Sequence, residues 1–180
     1  MKITLCSILM LFSTLALADD DFSWLLEDGS PAPSTDSQKS IGGFGAWLLV
    51  TPDKDWEAKW NTPAEHVPYF SSADEVRIGD DLTILPFFAN PKLNDEAYFE
   101  IVCDIRVERP DGTMSLDQSN IPCANGIITV DPKTIFLSQM VVKYIGEEGD
   151  PFGKWTVYVD FTDTLRGVTV PLKASFNLIE

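Results

Sequence analysis

Cys103 and Cys123 carry the most defined chemistry in this 180-residue chain. The third cysteine, Cys6, lies in the opening run MKITLCSILMLFSTLALA, which has Lys2 at its start and Ala16-Leu17-Ala18 at its end. A short basic region, an apolar region and a small-x-small site in that order describe a secretory signal peptide over residues 1–18. The apolar stretch from Leu5 to Leu15 is shorter than the roughly 20 residues a membrane span needs, and Asp19-Asp20-Asp21 follows at once, so no span is expected after cleavage. Export places the two remaining thiols in an oxidising compartment, and one Cys103–Cys123 disulfide is the expectation. Zinc would need more ligands than these cysteines and His66, the sole histidine, can supply.

Other catalytic chemistry finds little footing. A serine or cysteine nucleophile needs a base, usually histidine, oriented by a third group. His66 sits in PAEHVPYF, flanked by prolines, and no GxSxG elbow occurs. A glycosidase needs two carboxylates across a sugar bond, but among 28 acidic residues no spacing singles out a pair. No catalytic residue is therefore assigned, and a hydrolytic enzyme is disfavoured. Acidic loops can hold a hard cation through several oxygens, which makes calcium the cofactor to consider. The candidate ligands are Asp53, Asp55, Asp95, Glu147, Glu148 and Asp150, although none belongs to a DxDxDG…E loop. Aromatic side chains form the last group. Trp47, Trp56, Trp60, Tyr69 and Phe70 cluster in the first half of the chain, with Trp24 ahead of them. Exposed rings of this kind stack on sugars or anchor protein interfaces. The four-residue spacing of Trp56 and Trp60 also suits a helical lid packed over a sandwich.

Charge narrows the partners. Removing residues 1–18, which hold Lys2 and no acid, takes the formal net charge from −15 to −16. Such a field repels phosphates, so nucleic acid and anionic membrane surfaces are excluded as partners.

The elements that must position these residues are short strands. Residues 19–41 are acidic and then Ser/Pro-rich (SPAPSTDSQKS), a composition expected to stay flexible, with FSWLL at 22–26 apolar enough to dock on the domain. From residue 42 to 180, strand-sized runs alternate with turn signals. In AYFEIVCDIRVERP, Phe99, Ile101, Cys103, Ile105 and Val107 share one face, and in KWTVYVDF the core face carries Trp155, Val157, Val159 and Phe161. Pro110-Asp111-Gly112 reads as a tight turn, and Pro86 inside LTILPFFA as an edge or bulge. DKDWEAKW, residues 53–60, is the one helical insertion expected. The fold class is all-β, a single antiparallel immunoglobulin-like sandwich in the broad sense, without the antibody Trp and tyrosine-corner spacing.

The stretches GFGAWLLVTPDKDW…WNTP, RPDG and GDPFGKWTVYVDFTDTLRGVTVPL…F resemble a family of small secreted bacterial proteins of unestablished function. The late segment is also similar to the final hairpin of bacterial immunoglobulin-like and macroglobulin-like modules. The resemblance implies an exported Gram-negative β-sandwich, periplasmic or extracellular, and transfers no catalytic residue. The functional expectation is a non-catalytic envelope protein acting on an unidentified protein partner through a strand edge or an aromatic patch near Trp56 and Trp60. The alternative is a module that binds polysaccharide through the same aromatics.

Overall fold

The computed structural model describes residues 22–26, 28–63 and 68–180. The expected signal peptide and His66 lie outside the described residues. Among the described residues, ten strands form two packed five-stranded sheets, joined by one short helix, in keeping with the alternating sequence pattern. The first sheet runs β1 (Gln38–Ile41), β2 (Phe44–Thr51), β4 (Asp81–Ala89), with β7 (Phe136–Leu137) and β8 (Val142–Ile145) sharing the far edge of β4. The second runs β3 (Glu75–Arg77), β10 (Val168–Ile179), β9 (Gly153–Asp163), β5 (Tyr98–Glu108), β6 (Met114–Ile127). Neighbours pair antiparallel except β3, which lies parallel to β10. The helix α1 spans Trp56–Trp60, inside the expected insertion. No described helix is long and apolar enough to cross a membrane.

The core is built from the period-two faces. Phe99, Ile101, Cys103, Ile105 and Val107 of β5 meet Trp155, Val157, Val159 and Phe161 of β9 and Leu172 and Phe176 of β10, all buried. Facing them from the first sheet are Phe44, Ala46, Leu48 and Val50 of β2 with Leu82, Ile84 and Phe88 of β4. Turn chemistry closes the hairpins. Gly42 and Gly43, at φ 53° and 80°, make the two-residue link between β1 and β2 that only residues free of a Cβ adopt easily. Between β5 and β6, Asp111 accepts hydrogen bonds from the Thr113 N–H (2.9 Å) and hydroxyl (2.7 Å), and Gly112 takes φ 83°.

Two local expectations change. The stretch 19–41 is not uniformly a tether, because its last four residues are β1, paired with β2 from Gln38↔Trp47 to Ile41↔Phe44. A Ser/Pro-rich composition gave no sign of this, since the pairing is dictated by the Gly-Gly turn that follows. Pro86 lies in a central strand rather than at an edge or bulge. It pairs with Leu48 in the register where β4 N–H groups point away from β2, and on that side the β4 partner changes from β8 to β7. The missing donor therefore falls in a break, while the Pro86 carbonyl still accepts from Ser138 N at 2.8 Å.

Cys103 and Cys123 are bonded, joining the neighbouring strands β5 and β6 with their Cα atoms 5.7 Å apart. Both are buried. Replacing both by alanine should lower the unfolding free energy by about 3 kcal/mol, the chain-entropy value for a loop of this size. A urea titration of the double variant measures this, and an unchanged midpoint would show that β6 is held without the bond.

Candidate functional site

The expected aromatic patch converges on one buried ring. Alternate residues of β2 and β4 point away from the core, and on that outer face Phe87 is only 1% exposed. Trp47 stacks on Phe87 at 5.0 Å, and Trp60 of α1 and Phe70 approach it at 5.4 and 6.0 Å. Trp24 meets Trp47 edge-on at 6.3 Å, with Phe22 edge-on to Trp24 at 5.2 Å. Three rings thus pack around Phe87, with Trp24 and Phe22 extending the cluster from Trp47, and Trp47, Trp60 and Phe70 serve a second apolar layer. They do not form a free platform. Tyr69, 82% exposed, stands outside it. Trp56 is half-buried, makes no ring contact among the described residues, and borders an open cleft of about 310 Å³ with Lys54, Glu57, Asp81, Thr83 and Lys143.

The segment 22–26 docks on this layer. The Trp24 Nε1–H donates to the Lys39 carbonyl at 3.1 Å, and Ala32 N–H to the Trp24 carbonyl at 2.7 Å. The Phe22 ring occupies the space where a side chain on Gly45 would stand. Gly45→Ala should therefore expel Phe22 while leaving the sandwich folded. Limited proteolysis near residues 22–26 should accelerate about tenfold, consistent with loss of roughly 1.4 kcal/mol of local docking energy. Unchanged cleavage would mean that the segment is held elsewhere.

The acidic candidates separate in the same way. Asp53 Oδ2 accepts from Lys59 Nζ at 2.7 Å and from the Ser71 N–H at 2.9 Å, and Asp55 lies 3.3 Å from the same ammonium. Asp53 thus ties α1 to the segment leading into β3, and Asp55 adds a second carboxylate to the same lysine. Asp150 Oδ2 accepts from the Tyr144 hydroxyl and the Glu147 N–H, each at 3.2 Å. That ties the loop Gly146–Phe152 to β8, and Trp155 Nε1–H adds a bond to the Pro151 carbonyl at 3.1 Å. Burial first, then the Asp150 charge, pushes the Tyr144 phenol well above its ordinary value. Asp95, Glu147 and Glu148 are exposed, and the described residues contain no group of three or more His, Cys, Asp or Glu that could hold a metal ion.

Asp53 gives a pH signature. Burial pushes its carboxyl up, but the Lys59 ammonium and the Ser71 N–H outweigh this and hold it below the ordinary range. With the folded value under the unfolded one, the stabilisation is complete above the unfolded pKa and is lost as pH falls through the folded one. Tryptophan emission from α1 should therefore shift at acid pH in the wild type, and Asp53→Asn should remove that step. Superimposable acid titrations would contradict this assignment.

One polar centre escaped the sequence reading. Asp163, fully buried at the end of β9, accepts from Lys92 N–H (2.7 Å) and Arg166 N–H (3.0 Å), and its carboxylate lies 3.5 Å from Arg166 Nε. Arg166 also donates to the carbonyls of Gly42 and Asn90, each at 3.0 Å, and Asn90 Nδ2–H to the Gly43 carbonyl at 2.7 Å. The group joins three connections at one end of the sandwich. Its only sequence trace is the acid–arginine spacing in DTLR, which reads simply as a turn.

No family model and no curated protein matches the chain. Similar solved structures include the alkylpurine DNA glycosylase AlkC of Pseudomonas fluorescens (11% identity, TM-score 0.41, 76% of this chain, 30% of that one). A family 123 glycoside hydrolase from Clostridium perfringens gives 8% identity, TM-score 0.40, and 75% and 27% coverage. A Niemann-Pick type C2 protein from the Japanese carpenter ant gives 7% identity, TM-score 0.38, and 73% and 89% coverage. The chain thus spans less than a third of the first two proteins. At these scores the similarities carry no functional argument.

Proposed function

We propose that this protein is a non-catalytic, exported β-sandwich that recognises a protein partner in the bacterial envelope by strand-edge pairing. The observation that carries the reading is β6. It pairs with β5 alone among the named strands, and its residues from Met114 to Asn120 are exposed except for half-buried Leu116. Farther along, the edge is already used, since the Cys123 carbonyl accepts from the Gln139 N–H and the Ser138 hydroxyl. Asn120, at φ 57°, and Pro122 interrupt the ladder between these two parts. At the other end the Met114 carbonyl accepts from Arg109 Nη1 at 2.6 Å, so residues 115–119 are a short open edge of defined length, suited to β-augmentation yet guarded against open-ended association. The disulfide that staples β6 to β5 supports export.

The test is capture from an envelope extract with the wild type and with a Ser115→Lys/Gln118→Lys variant, whose charges should block edge pairing. A stoichiometric protein partner held by the wild type and lost by the variant, at equal melting temperature, is expected. Equal capture by both would overturn the edge assignment.

The second reading, polysaccharide binding, rests on the Trp56 cleft. There one half-buried indole stands beside Asp81, which is ion-paired to Lys143 at 3.1 Å and to Lys54 at 3.7 Å. It would gain if clear polysaccharide retention replaced protein capture and Trp56→Ala abolished it.

A further inference from the structure

The edge shared by β2 and β10 is bridged by two of the protein's own extended segments. In the first, the Ser37 carbonyl accepts from Leu48 N–H (2.7 Å) on one sheet and the Asp36 carbonyl from Lys173 N–H (2.8 Å) on the other. In the second, Ala73 N–H donates to the Val50 carbonyl (3.0 Å), and the Asp74 carbonyl accepts from Asn177 N–H (2.8 Å). Each segment behaves as a short strand common to both sheets. Between them lies an open slot of about 440 Å³, within the range of small-ligand sites.

Strand parity fixes what faces this slot. Backbone groups of alternate residues point to the same side of a strand, so Ser175, between Lys173 and Asn177, aims both its N–H and C=O into the gap. On β2 the Leu48 C=O and Val50 N–H do likewise, lying between the two bonds already used. No loop or turn bond among the described residues fills these four groups. A donor and an acceptor on each wall are the complement of an extended polypeptide, as the two flanking segments demonstrate. The slot is stopped at its ends by Ser37 and Ser72, so a strand cannot run through it, but a chain end can enter. The rims add charge and apolar surface: Trp47 stands on one, Lys154 and Lys173 on the other. The Lys173 ammonium bonds Asp36 at 3.0 Å and, with weaker help from Lys39 and Lys154, holds the Asp36 carboxyl below its ordinary range. Asp36 and Asp74 balance Lys154 and Lys173 in the lining, and Lys173 is taken by Asp36, so Lys154, in no ion pair among the described residues, is the cation that an incoming carboxylate would meet.

We infer that this slot receives the C-terminal end of a partner polypeptide, its last residues paired between β2 and β10 and its free carboxylate beside Lys154. The inference rests on the protein-binding reading but uses a different edge from β6. The test offers the intact protein a pool of random hexapeptides with free C-terminal carboxylates and the same pool amidated. Retention of the free-acid pool should exceed that of the amide pool about tenfold, the effect of one charge-assisted contact. Lys154→Gln should erase the difference. Ser175→Pro should weaken retention of both pools, since it removes one slot-facing donor in the parity that Pro171 already occupies within β10. Equal retention of the two pools, or of neither, overturns the inference. So does displacement of bound peptide by a uronic-acid oligosaccharide binding at Trp47, which would reassign the slot to sugars. If the Ser115→Lys/Gln118→Lys variant loses the envelope partner while neither peptide pool is retained, the β6 reading stands and the slot inference falls.

Discussion

Asp163→Ala should cost about 3–5 kcal/mol of stability, the range for breaking a buried ion pair by removing one partner. The carboxylate is fully buried, accepts from the Lys92 N–H and the Arg166 N–H, and lies 3.5 Å from the Arg166 guanidinium as an ion pair. Alanine would take a buried carboxylate from beside the arginine, itself 10% exposed, and would orphan backbone N–H groups that water does not easily reach. The loss should spread beyond β9. Arg166 also holds the Gly42 and Asn90 carbonyls, so the β1–β2 turn and the connection after β4 share the same anchor. Urea unfolding gives the free energy, and amide exchange at Gly42–Phe44 and Asn90–Lys92 should accelerate under native conditions. A loss below about 1 kcal/mol, the level of a surface ion pair, would show that the network is peripheral.

Phe87→Ala should have an effect of similar size, about 3–5 kcal/mol, for a different reason. In a two-sheet sandwich with solvated outer faces this side chain would point to water and its truncation would be nearly silent. Here it is the hub of a second apolar layer, in contact with Trp47, Trp60 and Phe70, and 1% exposed. Removing the ring opens a cavity beneath α1 and beside the docked residues 22–26. The melting temperature should fall, and tryptophan emission should shift to the red because at least two indoles lose their apolar neighbour. A variant as stable as the wild type, with unchanged emission, would mean that the outer layer is loosely assembled.

How far the chain was legible follows from which interactions are local. β5 and β9 announce themselves, because a strand buried on one face alternates, and the turn at Asp111-Gly112 is local chemistry; Gly42-Gly43 falls at the edge of a segment that reads as flexible, which hides β1. β4 is different: Leu82 to Ala89 are all buried, since one face meets the core and the other the aromatic layer. A continuous apolar run gives no register, so Pro86 could not be placed. The role of Trp24 was beyond composition as well, since its partners, Lys39 and Trp47, lie in strands that form around it. The aromatics were visible as a cluster, but sequence spacing could not separate Trp60, committed to Phe87, from Trp56, which borders an open cleft. The carboxylates mislead by number. Asp53 and Asp55 share Lys59, and Asp150 takes Tyr144, whereas Asp163 sits in an unremarkable turn and depends on arginine and backbone groups that converge only in the folded chain.

The most direct measurement of the proposed function is amide hydrogen exchange, with the protein alone and with its captured envelope partner. Strand-edge recognition predicts slowed exchange concentrated at Ser115–Ser119, with residues near Trp56 unaffected. Protection confined to the Trp56 cleft, or no change along β6 in a complex that is demonstrably formed, would contradict it.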